Sequence, residues 1–149
     1  MIQLFCVVRF LYFKILILFN FNSIITMSQD STSILTDIDI QIEATSAINK
    51  MYNFEFDDAE KEFKWLVQEY KNHPLPVFLL GLSKWWKIDS YSGLPKIKIT
   101  DELKLLDKEF LSLMDKSIFL SRKVYENGNK IDGAFFLAAS YGFKGRLLS

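Results

Sequence analysis

Residues 56–86 read FDDAEKEFKWLVQEYKNHPLPVFLLGLSKWW, and this stretch decides the fold. Its first half places Phe56, Ala59, Phe63, Leu66 and Tyr70 at steps of three and four, the repeat of an amphipathic helix. Asp57 or Asp58 is expected to cap that helix, and His73-Pro74 ends it, because the residue before a proline is biased away from helical geometry. His73, the only histidine, is expected to serve as a C-terminal cap there. Pro76 suits the first turn of the next helix, where its missing N–H has no partner to lose. That helix runs through VFLLGL (residues 77–82) to Trp85-Trp86 and is apolar nearly all round, so it must be buried on several sides.

Working outward, Ala47 and Gly81 lie 34 residues apart near the starts of two helical stretches. A period of that length carrying two helices predicts a stacked helical repeat, since one hairpin alone cannot bury its apolar face. Upstream, Thr36 caps a first helix whose inner face uses Ile38, Ile42, Ala44, Ala47, Ile48 and Met51. The alternation Ile38-Asp39-Ile40-Gln41-Ile42 also fits a strand, but it stops at Glu43 while the helical spacing continues. Downstream, the pattern breaks at Tyr91-Ser92-Gly93-Leu94-Pro95. A long fourth helix follows from Thr100-Asp101-Glu102, with Leu103, Leu106, Phe110, Leu113, Ser117, Leu120 and Val124 in step and Gly128 as terminator. A fifth spans roughly residues 132–146. The expected class is all-α: antiparallel helical hairpins stacked as a short solenoid of about five helices in residues 36–149.

Composition narrows the chemistry. Half the residues are apolar and the formal net charge is zero, with no clustered positive charge of the kind a nucleic-acid surface needs. Cys6 is the only cysteine, so neither an internal disulfide nor a thiolate metal cage is available. One histidine and one cysteine cannot supply the usual triads or zinc sites, and no glycine-rich phosphate loop is present. Neither a cofactor nor a metal is expected, and Asp57-Asp58 and Asp101-Glu102 stand where helix-starting acids belong. A non-catalytic binding protein is the expectation.

Residues 1–28 read differently from the rest, with 20 apolar residues, two basic ones and no acid. Arg9 and Lys14 precede ILILFNFNSIITMSQ (residues 15–29), the order of a positive and then an apolar region in an export signal. Thr26 and Ser28 give small residues for cleavage before Gln29, leaving residues 29–35 as a flexible linker. The reading adopted is a cleaved signal and a periplasmic product. A start at Met27 would instead leave a cytoplasmic protein, and retention of residues 1–28 would make an anchor, although Lys14 divides the segment into pieces shorter than a span.

The chain resembles the tetratricopeptide repeat family. The family's pattern of a large residue, then Leu-Gly, then an aromatic corresponds to Val77, Leu80, Gly81 and Lys84, and next to Ala134, Leu137, Ala138 and Tyr141. Its small-then-aromatic pair corresponds to Ala59 and Phe63, and its closing proline to Pro74. Lys84 departs from the pattern by replacing the aromatic, and the step from Leu80 to Leu137 is 57 residues instead of 34. Trp85-Trp86 with Phe135-Phe136 and Tyr141-Gly142-Phe143 is also similar to exported repeat proteins of Bacteroidetes-type bacteria.

The resemblance implies a partner surface on the first helix of each unit. It gives Ala44, Ile48, Met51 and Tyr52, then Phe78, Leu82, Trp85 and Trp86, then Phe135, Ala139 and Phe143. The candidate partner-binding residues are Tyr52, Phe78, Leu82, Trp85 and Trp86. Of the aromatic and aliphatic set, Phe78, Leu82 and Phe135 read as core, whereas the adjacent tryptophans point about 100° apart, so at least one reaches the periphery. The Lys, Asn and Arg set of carboxylate-gripping family members is missing, which argues against chaperone-tail binding. The last helix is apolar on more than one face, and Phe136, Phe143 and Leu147 are expected on its uncovered side. Such an edge would dock another subunit or a second copy, or mark a truncated product.

Overall fold

A computed structural model describes residues 33–92 and 101–149, which fall within one compact unit, Ser31–Ser149. The export segment at residues 1–28, with Cys6, lies outside the described residues, as do residues 93–100 of the expected break, whereas Tyr91 and Ser92, expected to begin it, are helical. The described residues form five α-helices and no strand: α1 (Ile38–Tyr52), α2 (Phe56–Glu69), α3 (Pro74–Ser92), α4 (Asp101–Glu126) and α5 (Lys130–Leu148). The Ile38–Ile42 alternation is therefore helical. A short 3-10 turn, Ile34–Thr36, precedes α1. The fold thus takes in Ser33–Leu35, which composition assigns to the linker.

The connections after α1, α2 and α4 are three to four residues long, and such short links force neighbouring helices to run antiparallel. Each helix packs on the next in the chain. In addition, α3 touches α1 and α5, so it meets all four other helices. The apolar run of α3 explains this position: Leu75, Val77, Phe78, Leu79 and Leu80 are all buried. The core gathers Ile40, Ala44, Ala47 and Met51 from α1, Ala59, Phe63 and Leu66 from α2, Phe110 and Met114 from α4, and Phe136 from α5.

Several local expectations need correction. Asp37 caps α1, its carboxylate accepting from Asp39 N–H and Ile40 N–H; the Thr36 hydroxyl instead donates to the Ser33 carbonyl. Helix α2 begins at Phe56 without a side-chain cap, so Asp57 and Asp58 act only as first-turn acids facing the helix dipole. Ile38 and Ile42, expected inward on α1, are exposed; Ile40 takes the inner position, in phase with Ala44, Ala47 and Met51.

Two glycines mark close approaches. A Cβ on Gly133 would stand within 2.6 Å of the Tyr125 backbone, so the start of α5 crosses the end of α4 where only glycine fits. Gly81 faces Leu113 and Met114, which lets α3 and α4 approach closely.

The α1–α2 turn carries a different constraint. Phe54 has φ 65°, and Phe54 N–H and Glu55 N–H donate to the Met51 and Lys50 carbonyls. These are the two bonds of a Schellman ending, whose left-handed position usually holds glycine. The Phe54 ring is 67% exposed, so its packing returns little for the strain.

Phe63 and Phe54 should therefore respond oppositely to truncation. Phe63→Ala empties a fully buried site at the junction of the hairpins and should cost about 3–5 kcal/mol. Phe54→Gly should raise stability by up to about 1 kcal/mol by relieving the left-handed strain. Thermal and urea unfolding of both variants checks the pair; an unchanged midpoint for Phe63→Ala would refute the hairpin register.

Candidate functional site

Helices α1, α3 and α5 bring most of the sequence-predicted aromatics together. Tyr52 of α1 meets Trp86 of α3 edge to face, ring centroids 5.1 Å apart. Trp85, one residue back, meets Phe143 of α5 at 5.9 Å and Phe110 of α4 at 5.6 Å. The Arg146 guanidinium lies over the Trp85 ring at 5.6 Å, a cation–π arrangement that holds both at the edge of α5. Phe143 also contacts Phe78 at 5.9 Å. The aromatic contacts thus pass from α1 through α3 to α5.

Exposure sorts the predicted residues. Tyr52 is exposed, and Trp85, Trp86 and Leu82 are half-buried, while Phe78 is core, as Met51 and Ala44 are. Phe135, expected in the core, is exposed. The proposed docking edge is corrected more sharply. Phe136, Phe143 and Leu147 do share one face of α5, but it is the inward face: Phe136 is only 1% exposed and packs on His73 and Phe78. The outward side instead carries Ile131, Phe135, Tyr141 and Leu148.

The phase of α5 is set by a polar clasp that sequence reasoning missed. Asp132 is fully buried, and its carboxylate accepts from the Ser33 hydroxyl, from Ile34 N–H at 2.9 Å and from Asn129 Nδ2 at 2.9 Å. His73 Nε2 stands 3.2 Å from the same carboxylate, and His73 Nδ1 accepts from Leu75 N–H at 3.2 Å. With Nδ1 accepting, the proton of a neutral ring sits on Nε2 and points at Asp132. His73 thus caps the start of α3, not the end of α2. In this geometry the serine hydroxyl bonds the carboxylate and not the imidazole, so the cluster lacks the base-to-hydroxyl link of a nucleophilic triad. It ties the chain before α1 and the α2–α3 turn to the start of α5.

A second network involves the residue that departs from the family pattern. Lys84 Nζ lies 2.8 Å from Glu60 of α2 and 3.0 Å from Glu109 of α4. Its side chain is 13% exposed. Burial works against the ammonium, but the two carboxylates more than offset it and raise its pKa above the ordinary lysine value. No group of His, Cys, Asp and Glu among the described residues stands ready to hold a metal ion.

Compared with known proteins, the chain matches no family model, no curated protein and no solved structure.

The clasp makes stability pH-dependent. Burial holds His73 below its ordinary pKa, although Asp132 opposes the shift, so the unfolded chain takes up a proton first. Its contribution is complete above about pH 6.5 and is lost as pH falls below that value. Burial pushes Asp132 up, but its bonds from Ser33, Ile34 and Asn129 outweigh burial and hold it below the usual carboxylate range, so a second loss follows below about pH 4. The melting temperature should fall from pH 7 to 5 (both approximate settings), and His73→Asn should flatten that slope. Asp132→Ala should cost about 3 kcal/mol by leaving buried donors without an acceptor. Calorimetry across the pH range checks both.

Proposed function

We propose that this chain is a non-catalytic helical-repeat module that holds a polypeptide partner on the face shared by α1, α3 and α5. The observation that carries the reading is the line of aromatic contacts from Tyr52 and Trp86 to Trp85, Phe143 and Arg146. Tryptophan, tyrosine and arginine dominate binding energy at protein interfaces, because each combines a wide apolar surface with a polar handle. Half-buried rings fixed by their neighbours also lose little freedom on binding. The resemblance to tetratricopeptide repeats supports the same face, since that family binds partners along its first helices.

Selection of peptides from a random phage-displayed library against the full chain tests this reading. The expected result is peptides whose affinity drops by about tenfold or more in Trp86→Ala and in Tyr52→Ala, with melting temperatures near the parent's. Peptides that bind both variants as well as the parent would place the binding surface elsewhere.

We further propose that residues 1–28 form an export signal cleaved before Gln29, giving a periplasmic product; the order of Arg9, Lys14 and the apolar run supports it. Intact-mass measurement of the protein from its native host should find a mature N-terminus at Gln29. Met1 retained in the membrane fraction would favour an anchored structural subunit, and a soluble product starting at Met27 would make the protein cytoplasmic.

A further inference from the structure

Helices α2 and α4 flank α3 without packing closely on each other, and an open groove of about 470 Å³ lies between them. Its lining shares no residue with the aromatic face. Leu80, Leu105 and Leu113 make its apolar part, and Lys64, Lys84, Lys108, Glu109 and Ser112 make its polar part. Where the resemblance calls for an aromatic, Lys84 extends between the two helices and bridges Glu60 and Glu109.

The charges are unevenly satisfied. Glu60 and Glu109 both turn toward the single Lys84 ammonium, and Lys64 meets the other oxygen of Glu60 at 3.4 Å. Lys108 makes no ion pair among the described residues. With Glu60 behind the lining, three ammonium groups face two carboxylates, an excess of one positive charge carried by Lys108. Leu105, at the lip, is 56% exposed, an apolar side chain beside unneutralised positive charge.

We propose that this groove binds an acidic, leucine-bearing segment of a partner polypeptide. Its carboxylates would meet Lys64 and Lys108, and its apolar side chains would cover Leu105, Leu113 and Leu80. The occupant follows from complementarity: an apolar floor selects aliphatic side chains, while the excess of lysine favours acidic segments and repels basic ones. The geometry matches an amphipathic segment laid into a groove between two helices.

Fluorescence anisotropy of the full chain with a labelled amphipathic dodecapeptide of glutamate and leucine tests the site, with a lysine–leucine peptide of the same pattern as control. The acidic peptide should bind at least about tenfold more tightly than the basic one, and less tightly as salt rises. Leu105→Glu and Lys108→Glu should each weaken binding by about tenfold. Leu105→Ser serves in place of Leu105→Glu if that variant fails to fold. Trp86→Ala should leave the acidic peptide's affinity unchanged, so failure here and failure of the aromatic-face reading are distinguishable. Equal binding of the two peptides, or parent-like affinity in Leu105→Glu and Lys108→Glu, would overturn the proposal. So would loss of binding in Trp86→Ala alone, and so would amide shifts at the groove that follow decanoate but not the peptide, which would assign it to a small amphiphile.

Discussion

Burial of α3 on every side is the constraint from which the rest of the architecture follows. From Leu75 to Leu80 this helix offers water almost nothing polar, so no arrangement leaving one flank open would be stable. The chain responds by setting α1 and α2 on one side and α4 and α5 on the other. Gly81 allows the close approach of α4, and Phe63, Phe110 and Phe136 each bring a fully or nearly fully buried ring from a different neighbour. Further along, where α3 leaves the core, its residues become Trp85, Trp86 and Lys87, and the helix that organises the interior supplies the surface aromatics.

Two polar networks mark the limits of this apolar packing. At one site Asp132 collects donors from Ser33, Ile34, Asn129 and His73, joining segments about a hundred residues apart in sequence. At the other, Lys84 draws Glu60 and Glu109 toward one charge. In both networks, removing one partner would leave the others without their counterpart, which is costly where they are buried. The first sets which face of α5 turns inward. The second links α2, α3 and α4 through Lys84, which also lines the groove between α2 and α4.

Much of the fold was legible because helical periodicity is a local property. The α2 pattern from Phe56 to Leu66 and the all-round apolar run of α3 each follow from residues within a few turns of one another, whereas α2 ends at Glu69, ahead of the stop expected at His73-Pro74, and Pro74 instead opens α3. The pairing of Tyr52 with Trp86 was half legible: both residues were singled out, but not their contact, which requires the register between α1 and α3. Phe136, Phe143 and Leu147 show the boundary most clearly. Their spacing correctly placed them on one face, but a helix apolar on several sides carries no local signal of which side faces in. Asp132 was equally opaque, since a buried acceptor and an ordinary first-turn acid look alike in sequence.

By itself, the sequence determined the helical class, the approximate helix positions, the hairpin order and the presence of only one histidine and one cysteine. Those conclusions rest on dihedral preference, apolar spacing and residue count, all of which are short-range or compositional. Only the tertiary structure decided the phase of α5, the role of His73, the three-helix bridge at Lys84 and the meeting of aromatics from α1, α3 and α5. These depend on how donors, charges and rings from distant segments satisfy one another once water is excluded. Desolvation makes each unpaired group costly, and that cost selects among packings that local patterning leaves nearly equivalent.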